Sequence, residues 1–206
     1  MSGKVIKTLF LDIGGVLLTN GWGHESREKA VKHFKLDGDE INERHHLTFD
    51  TYEEGKLTLH EYLQRVVFYE KRKFSENDFT KFILKQSIDY PDVINFFKET
   101  KKKYNLKIIA VSNEGREIND YRVKKFKLTE LFDAFVSSSY VHLRKPDIDI
   151  FHMAGDISQT PPKHSLYIDD RLMFVQIAKT LGMHGIHYRG LDEFKTQLKK
   201  FKFDSE

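Results

Sequence analysis

The stretch Lys7-Thr8-Leu9-Phe10-Leu11-Asp12-Ile13-Gly14-Gly15-Val16-Leu17 decides how this chain reads, because an apolar run ends on a carboxylate and two glycines. Its β-branched and aromatic content predicts a buried strand from Val5 to Ile13. Far downstream, Ser165-Leu166-Tyr167-Ile168-Asp169-Asp170-Arg171 repeats the arrangement of a strand followed by acids. A lone Asp after a strand is an ordinary turn residue. Acids ending two distant strands, with Ser112-Asn113 and Lys145-Pro146 between them, point instead to a site for a divalent cation and a phosphate.

The next strand of the same kind is Leu106-Lys107-Ile108-Ile109-Ala110-Val111, more than ninety residues on. A βαβ crossover needs only about a dozen residues or more, so the intervening stretch holds extra structure. Its pattern is helical. Ser26 to Leu36 places Ala30, Val31 and Phe34 on one stripe, and Ile41 to Tyr52 follows the Asp37-Gly38-Asp39 break. Thr58-Leu59-His60-Glu61 is a capping-box pattern, and Ser75 opens a further helix. Four short helices predict an inserted bundle over residues 20–88. From Pro91 onward helices and strands alternate, with strands expected near 134–136, 165–169 and 183–188. The fold class expected is therefore α/β, a Rossmann-like doubly wound parallel sheet formed by residues 1–19 and 89–206.

Bulk composition narrows the function classes. A chain of 206 residues with 39% hydrophobic and 32% charged content suits a soluble α/β core plus a modest insertion. Net charge is only +3, and the runs Lys101-Lys102-Lys103 and Lys199-Lys200 fall near helix C-termini, where cations suit the dipole. No nucleic-acid partner is expected. Cysteine is absent, which excludes thiolate metal sites and thiol nucleophiles. The apolar run near the N-terminus stops at Asp12 without a cleavage site, and no stretch reaches membrane-spanning length. No membrane association is expected, and the cytoplasm is the expected compartment.

Ligands of such sheets bind beyond the carboxyl ends of the strands. Asp12, Ser112 and Asp169-Asp170 sit at those ends, and Lys145 lies in a loop able to reach them. An Asp can attack phosphorus once neighbouring negative charge is neutralised. Mg²⁺ takes one or two carboxylates with waters and a phosphate oxygen, and the Gly14 carbonyl offers a further ligand. Ser112 and the Asn113 N–H can donate to phosphate oxygens, while Lys145 supplies a positive charge. Each residue also has a plainer reading: Asp12 or Ser112-Asn113 as turn formers, Lys145 as a surface lysine, and Asp169-Asp170 as the cap of the following helix. The adjacent pair His45-His46, and His184 with His187, do not share a face and make no zinc site.

In kind and order these residues resemble the four motifs of the haloacid dehalogenase-like (HAD) superfamily, over nearly the whole chain. The resemblance implies that Asp12 is the nucleophile, Ser112 the second-motif hydroxyl, Lys145 in Arg144-Lys145-Pro146-Asp147 the third motif, and Asp169-Asp170 the acidic pair. It makes Asp170 the direct metal ligand and Asp169 the supporting acid. The bundle over 20–88 then resembles the α-helical cap of subclass I. The segment Phe49-Asp50-Thr51-Tyr52-Glu53-Glu54-Gly55-Lys56-Leu57-Thr58 is similar to a cap segment of the branch containing bacterial α-glucose-1-phosphatases. The activity the resemblance implies is that of a Mg²⁺-dependent phosphatase for a small phosphorylated metabolite such as a sugar phosphate, working as a monomer or homodimer.

Two departures bear on that activity. Most HAD phosphatases carry a second Asp two residues after the nucleophile as general acid and base, and here that position is Gly14. Phe174 stands where many relatives have an Asn bracing the acidic pair, so weakened metal binding is expected. These departures keep a non-catalytic phosphometabolite- or protein-binding module as an alternative. A 2-haloacid dehalogenase is another, although those enzymes need no metal and usually carry Thr where Val16 stands. Trp22 and His24 lie at the expected cap hinge, either packed there or touching substrate.

Overall fold

A computed structural model describes residues 5–203. Residues 1–4 and 204–206 of the expected core lie outside the described residues. Five parallel strands form the main sheet in the order β4-β3-β2-β5-β6: β2 (Thr8–Leu11), β3 (Lys107–Ser112), β4 (Ala134–Ser137), β5 (Ser165–Asp169) and β6 (His184–His187). Thus β2 occupies the centre, with Leu11 level with Ala110 on one side and Ile168 on the other. A parallel sheet brings all carboxyl ends to one edge. The residues following β2, β3 and β5 therefore converge without any long-range design beyond strand register.

The expected single strand from Val5 to Ile13 is in fact two. β1 (Val5–Ile6) leaves the main sheet to pair with β7 (Lys202–Phe203), while β2 begins at Thr8. Lys7 marks the switch: its N–H donates to the His164 carbonyl, and its own carbonyl accepts from Lys107 N–H. The strand stops at Leu11 because the chain turns into Asp12 and the two glycines.

Period-two alternation sends side chains to two buried faces. Leu9, Leu11, Ile108, Ala110, Leu166 and Ile168 pack against α5 (Pro91–Tyr104) and α10 (Leu191–Leu198). Phe10, Ile109, Val111 and Tyr167 pack on the other face against α8 (Ile148–Ser158) and α9 (Leu172–Thr180). Two further elements complete this half: α6 (Arg116–Lys125) after β3, and the short α7 (Ser138–Val141) after β4.

The insertion holds α1 (His24–Phe34), α2 (Gly38–Glu53), α3 (Leu59–Val66) and α4 (Glu76–Lys85). Both expected capping motifs form: Thr58 with Glu61, and Ser75 with Asp78. The helices enclose their own aromatic cluster, in which Tyr52, Tyr62, Leu63 and Phe79 are fully buried. The two chain crossings into this region form a short antiparallel ladder. Thr19 N–H donates to the Ile88 carbonyl, Tyr90 N–H to that of Leu17, and Leu18 bridges Asp89.

Candidate active site

The β2–β5 register places Asp12 directly beside the acidic pair, and Asp12 N–H donates to the Ile168 carbonyl at 3.0 Å. One ligand oxygen from each of Asp12, Asp169 and Asp170 lies within 4.8 Å of the others. Lys145 is buried among them, its Nζ 2.8 Å from Asp169 Oδ2 and 3.2 Å from Asp12 Oδ1. Asn113 holds that lysine in place. Its Nδ2 donates to the Lys145 carbonyl and its Oδ1 accepts from Lys145 N–H, both at 2.8 Å. A side chain expected to meet a ligand through its backbone thus also clamps the loop that delivers the cation. Ser112, at the end of β3, is 2% exposed and borders the same cavity of about 350 Å³, as does Gly14.

Three carboxylates face one ammonium, so with every group ionised the cluster has two negative charges in excess. The electrostatics show the imbalance. Burial, opposed by Lys145 and reinforced by Asp169 and Asp170, holds Asp12 up to about 7. Burial and then Asp169 also raise Asp170. Burial alone would lower Lys145, but Asp12 and Asp169 outweigh it and the ammonium is held above its ordinary range. Hard carboxylate oxygens, closely spaced and two charges short of neutrality, fit a divalent oxygen-preferring cation. The residues present therefore suit Mg²⁺, with Asp12 and Asp170 nearest the cavity and Asp169 behind them.

Asp169 is fully buried and held by three donors: Lys145 Nζ, Tyr167 Oη at 2.9 Å, and the Arg171 N–H at 2.8 Å. Helix α9 has no side-chain cap, so capping is not what the acidic pair does there. Phe174 makes no hydrogen bond to the acidic pair, as expected, and other side chains contact the pair instead. Tyr167 braces Asp169, and the Asn20 side chain hydrogen-bonds Asp170. The Phe174 ring instead lies over Lys145, 5.1 Å from Nζ, where an aromatic face attracts a cation.

The glycines serve different ends. Gly15 has φ +70, and a Cβ there would fall 2.3 Å from Asp170 Oδ2, so only glycine admits the acid at this distance. At Gly14 a Cβ would meet Asn20 Oδ1 at 2.9 Å. The space that a second Asp would occupy is filled by Asn20.

Several cavity residues lie outside the motifs. Buried Glu114 pairs with Arg122 Nη1, and Arg122 also donates to the Thr19 carbonyl and to Ser87 Oγ, tying both crossings to α6. Glu53, at the end of α2, pairs with Arg144 at 2.6 Å, beside Lys145. Trp22 is buried, its Nε1 donating to Tyr62 Oη at 2.8 Å, whereas His24 is exposed and paired with Glu28.

Known proteins resemble this chain in sequence family and in fold. A profile of the family described as haloacid dehalogenase-like hydrolase matches residues 17–187, most of the chain. A drimenol cyclase from Aspergillus calidoustus is 26% identical over 198 residues, covering 94% of this chain and 36% of that protein. The chain thus spans about a third of the length of the curated relative it matches. Among solved structures, a HAD family enzyme from Bacteroides thetaiotaomicron superposes with TM-score 0.80 at 20% identity, covering 94% of this chain and 98% of that one. The same enzyme in complex with magnesium and inorganic phosphate gives 0.76 at 21% identity, covering 89% and 94%. An L-2-haloacid dehalogenase from Xanthobacter autotrophicus with covalently bound chloropropionic acid gives 0.63 at 16% identity, covering 97% and 85%. Among the described residues no helix is long and apolar enough to cross a membrane. With the profile spanning most of the sequence and the strand order and site arrangement described above, this chain belongs to the haloacid dehalogenase-like hydrolases.

Proposed function

We propose that this protein is a Mg²⁺-dependent phosphatase acting on a small phosphorylated metabolite through covalent catalysis by Asp12. The observation that carries the reading is the cluster itself: Asp12, Asp169 and Asp170 within 4.8 Å of one another, with one buried lysine, at the floor of a cavity. A haloacid dehalogenase needs neither the surplus acids nor a metal, which favours phosphoryl transfer over carbon–halogen cleavage. Asp12, Asp170 and the Gly14 carbonyl would hold Mg²⁺, with Asp169 supporting. When bound, the cation would neutralise the surplus charge and polarise a phosphate oxygen.

The side chains supply the rest. Ser112 and the Asn113 N–H hold phosphate oxygens, and Lys145 stabilises the charge gathering on them. An Asp12 oxygen bonds to phosphorus as the bond to the leaving alcohol breaks, and that alkoxide takes a proton from water. A second water then attacks phosphorus, gives its proton to solvent, and releases Asp12 and inorganic phosphate. Gly14 offers no proton, so esters with good leaving groups turn over fastest; general acid help is worth about 10²–10⁴-fold. The helices between residues 20 and 88 form the cap that shields the cavity and shapes substrate choice. Incubation with Mg²⁺ and a panel of phosphomonoesters tests this directly. The wild type should release phosphate and Asp12→Asn should lose on the order of 10⁴-fold or more. Equal rates in both would remove the proposal, and chloride release from 2-haloacids without Mg²⁺ would replace it with the dehalogenase reading.

A further inference from the structure

The cavity above Asp12 is bordered by five strongly basic side chains, and four have an acid beside them. Lys145 pairs with Asp12 and Asp169, Arg122 with Glu114, Arg144 with Glu53, and Arg171 approaches Asp170 at 3.8 Å. The fifth is Arg27, in the first turns of α1. Its Nε donates to Asn42 Oδ1 at 3.2 Å and its Nη1 to the Trp22 carbonyl at 3.3 Å. Among the described residues Nη2 has no hydrogen-bond partner and the guanidinium faces no carboxylate. Burial presses its pKa down, with only the Tyr62 phenol opposing.

An arginine does not shed its charge in proteins, so a half-buried guanidinium without a counter-ion is costly unless a ligand completes it. Its planar fork matches a carboxylate or phosphate two bonds at a time. Two anchored nitrogens fix the plane, and Arg27 is one of the residues lining the cavity. The transferred phosphoryl group has its own partners in Lys145, Ser112 and the Mg²⁺ site. Trp22, Phe49 and Phe174 also line the cavity, and its volume of about 350 Å³ is near the low end for small-molecule sites.

Resting on the phosphatase reading, we infer that Arg27 binds a second anionic group on the leaving side of the substrate. The substrate class is then a phosphomonoester whose short, apolar or aromatic leaving group ends in a carboxylate or another phosphate. Arg27 is the specificity-determining residue, and an uncharged sugar phosphate leaves it uncompensated.

Steady-state kinetics with Mg²⁺ on phenyl phosphate, carboxyphenyl phosphate and phenylene bisphosphate test this, using wild type, Arg27→Met and Arg27→Lys. The expected result is a KM raised about 10- to 100-fold in Arg27→Met for one or both of the doubly anionic esters. Phenyl phosphate should change little, and Arg27→Lys should recover part of the loss. Which doubly anionic ester responds identifies the second group. Equal losses on all three esters would overturn the inference and place Arg27 on the transferred phosphoryl group or in the packing of α1 and α2. Unchanged KM on all three would overturn it as well. Asp12→Asn run alongside keeps the two claims apart, since activity surviving in that variant sinks the phosphatase reading whatever Arg27 does.

Discussion

At the carboxyl ends of β2 and β5 one ammonium faces three carboxylates, whereas at the root of the helical insertion the guanidiniums of Arg122 and Arg144 each face a buried acid of their own. Lys145 is shared by Asp12 and Asp169 with Asp170 alongside, but Arg122 closes on Glu114, and Arg144 has Glu53 as its buried partner, with exposed Asp50 at 3.0 Å. Both regions bury charge, which is expensive unless it is paired and hydrogen-bonded. The balanced pairs complete themselves and act as braces, with Arg122 fastening Thr19 and Ser87 where the chain enters and leaves the insertion. The unbalanced cluster has acids left over after Lys145 is shared, which a divalent cation would neutralise. Its imbalance marks the place where a ligand belongs.

The largest effect that would break this comparison comes from Lys145→Met. On the proposed reading phosphate release falls on the order of 10³-fold, as when a donor to developing charge is removed. Without Mg²⁺ the variant also unfolds more easily by about 3–5 kcal/mol, because three carboxylates lose their only buried cation. Mg²⁺ should restore much of that stability, since a ligand held by the folded state alone stabilises it. A denaturant melt unchanged by the substitution would show that the cluster is not under electrostatic stress.

Arg122→Met probes the balanced region. It leaves Glu114 buried and unpaired and costs about 3–5 kcal/mol in urea unfolding. The double variant Arg122→Met with Glu114→Gln should recover a good part of the loss, and the stabilisation by Mg²⁺ should be as in wild type. If the Arg122 variant loses Mg²⁺ response while keeping its stability, the roles assigned to the two regions are reversed.

A third way of burying polarity sits inside the insertion and carries no charge. Trp22 Nε1 donates to Tyr62 Oη, which is itself hydrogen-bonded to His45 Nδ1 at 2.7 Å. Burial, then Arg27 and His46, hold His45 down to about 3 from an ordinary 6.5. A lowered histidine stabilises the fold above its unfolded value and loses that contribution as pH falls toward the folded one. Between pH 6.5 and 3 the wild type should lose on the order of 2 kcal/mol more stability than His45→Gln. Parallel pH profiles for the two proteins would place His45 in water rather than in the core of the insertion.

Much of this was legible in the sequence. Strand-end acids, the helical stripes of the insertion, the Thr58 capping box and the Ser75 cap depend on local pattern, and local pattern survives into the fold. The β1–β7 pairing was not, because two-residue strands carry no periodicity. Tyr167 had a signal that went unused: it lies two residues before Asp169 on one strand and so on the same face. Arg122 follows Ile118 and Asn119 on the buried stripe of α6, a charged residue where an apolar one belongs. Asn20 had none, since its contact with Asp170 depends on how the chain leaves the glycine pair.

The smallest expected effect concerns that asparagine. Restoring the acid that many relatives carry, by Gly14→Asp, is not expected to speed turnover by itself. The new Cβ would come 2.9 Å from Asn20 Oδ1, and moving Asn20 frees Asp170 from its brace. Mg²⁺ affinity should then weaken by about 10-fold, the usual scale for a lost supporting contact. Aryl esters, which need no proton on the leaving oxygen, should stay within about 3-fold of wild type at saturating metal. Pairing Gly14→Asp with Asn20→Ala opens the space, and alkyl phosphates should then gain relative to aryl ones. If the single variant already favours alkyl esters without loss of metal affinity, Asn20 is not what keeps the acid out. Gly14 would then differ from Gly15 only in degree, whereas the geometry makes one glycine replaceable and the other a fixed requirement of Asp170.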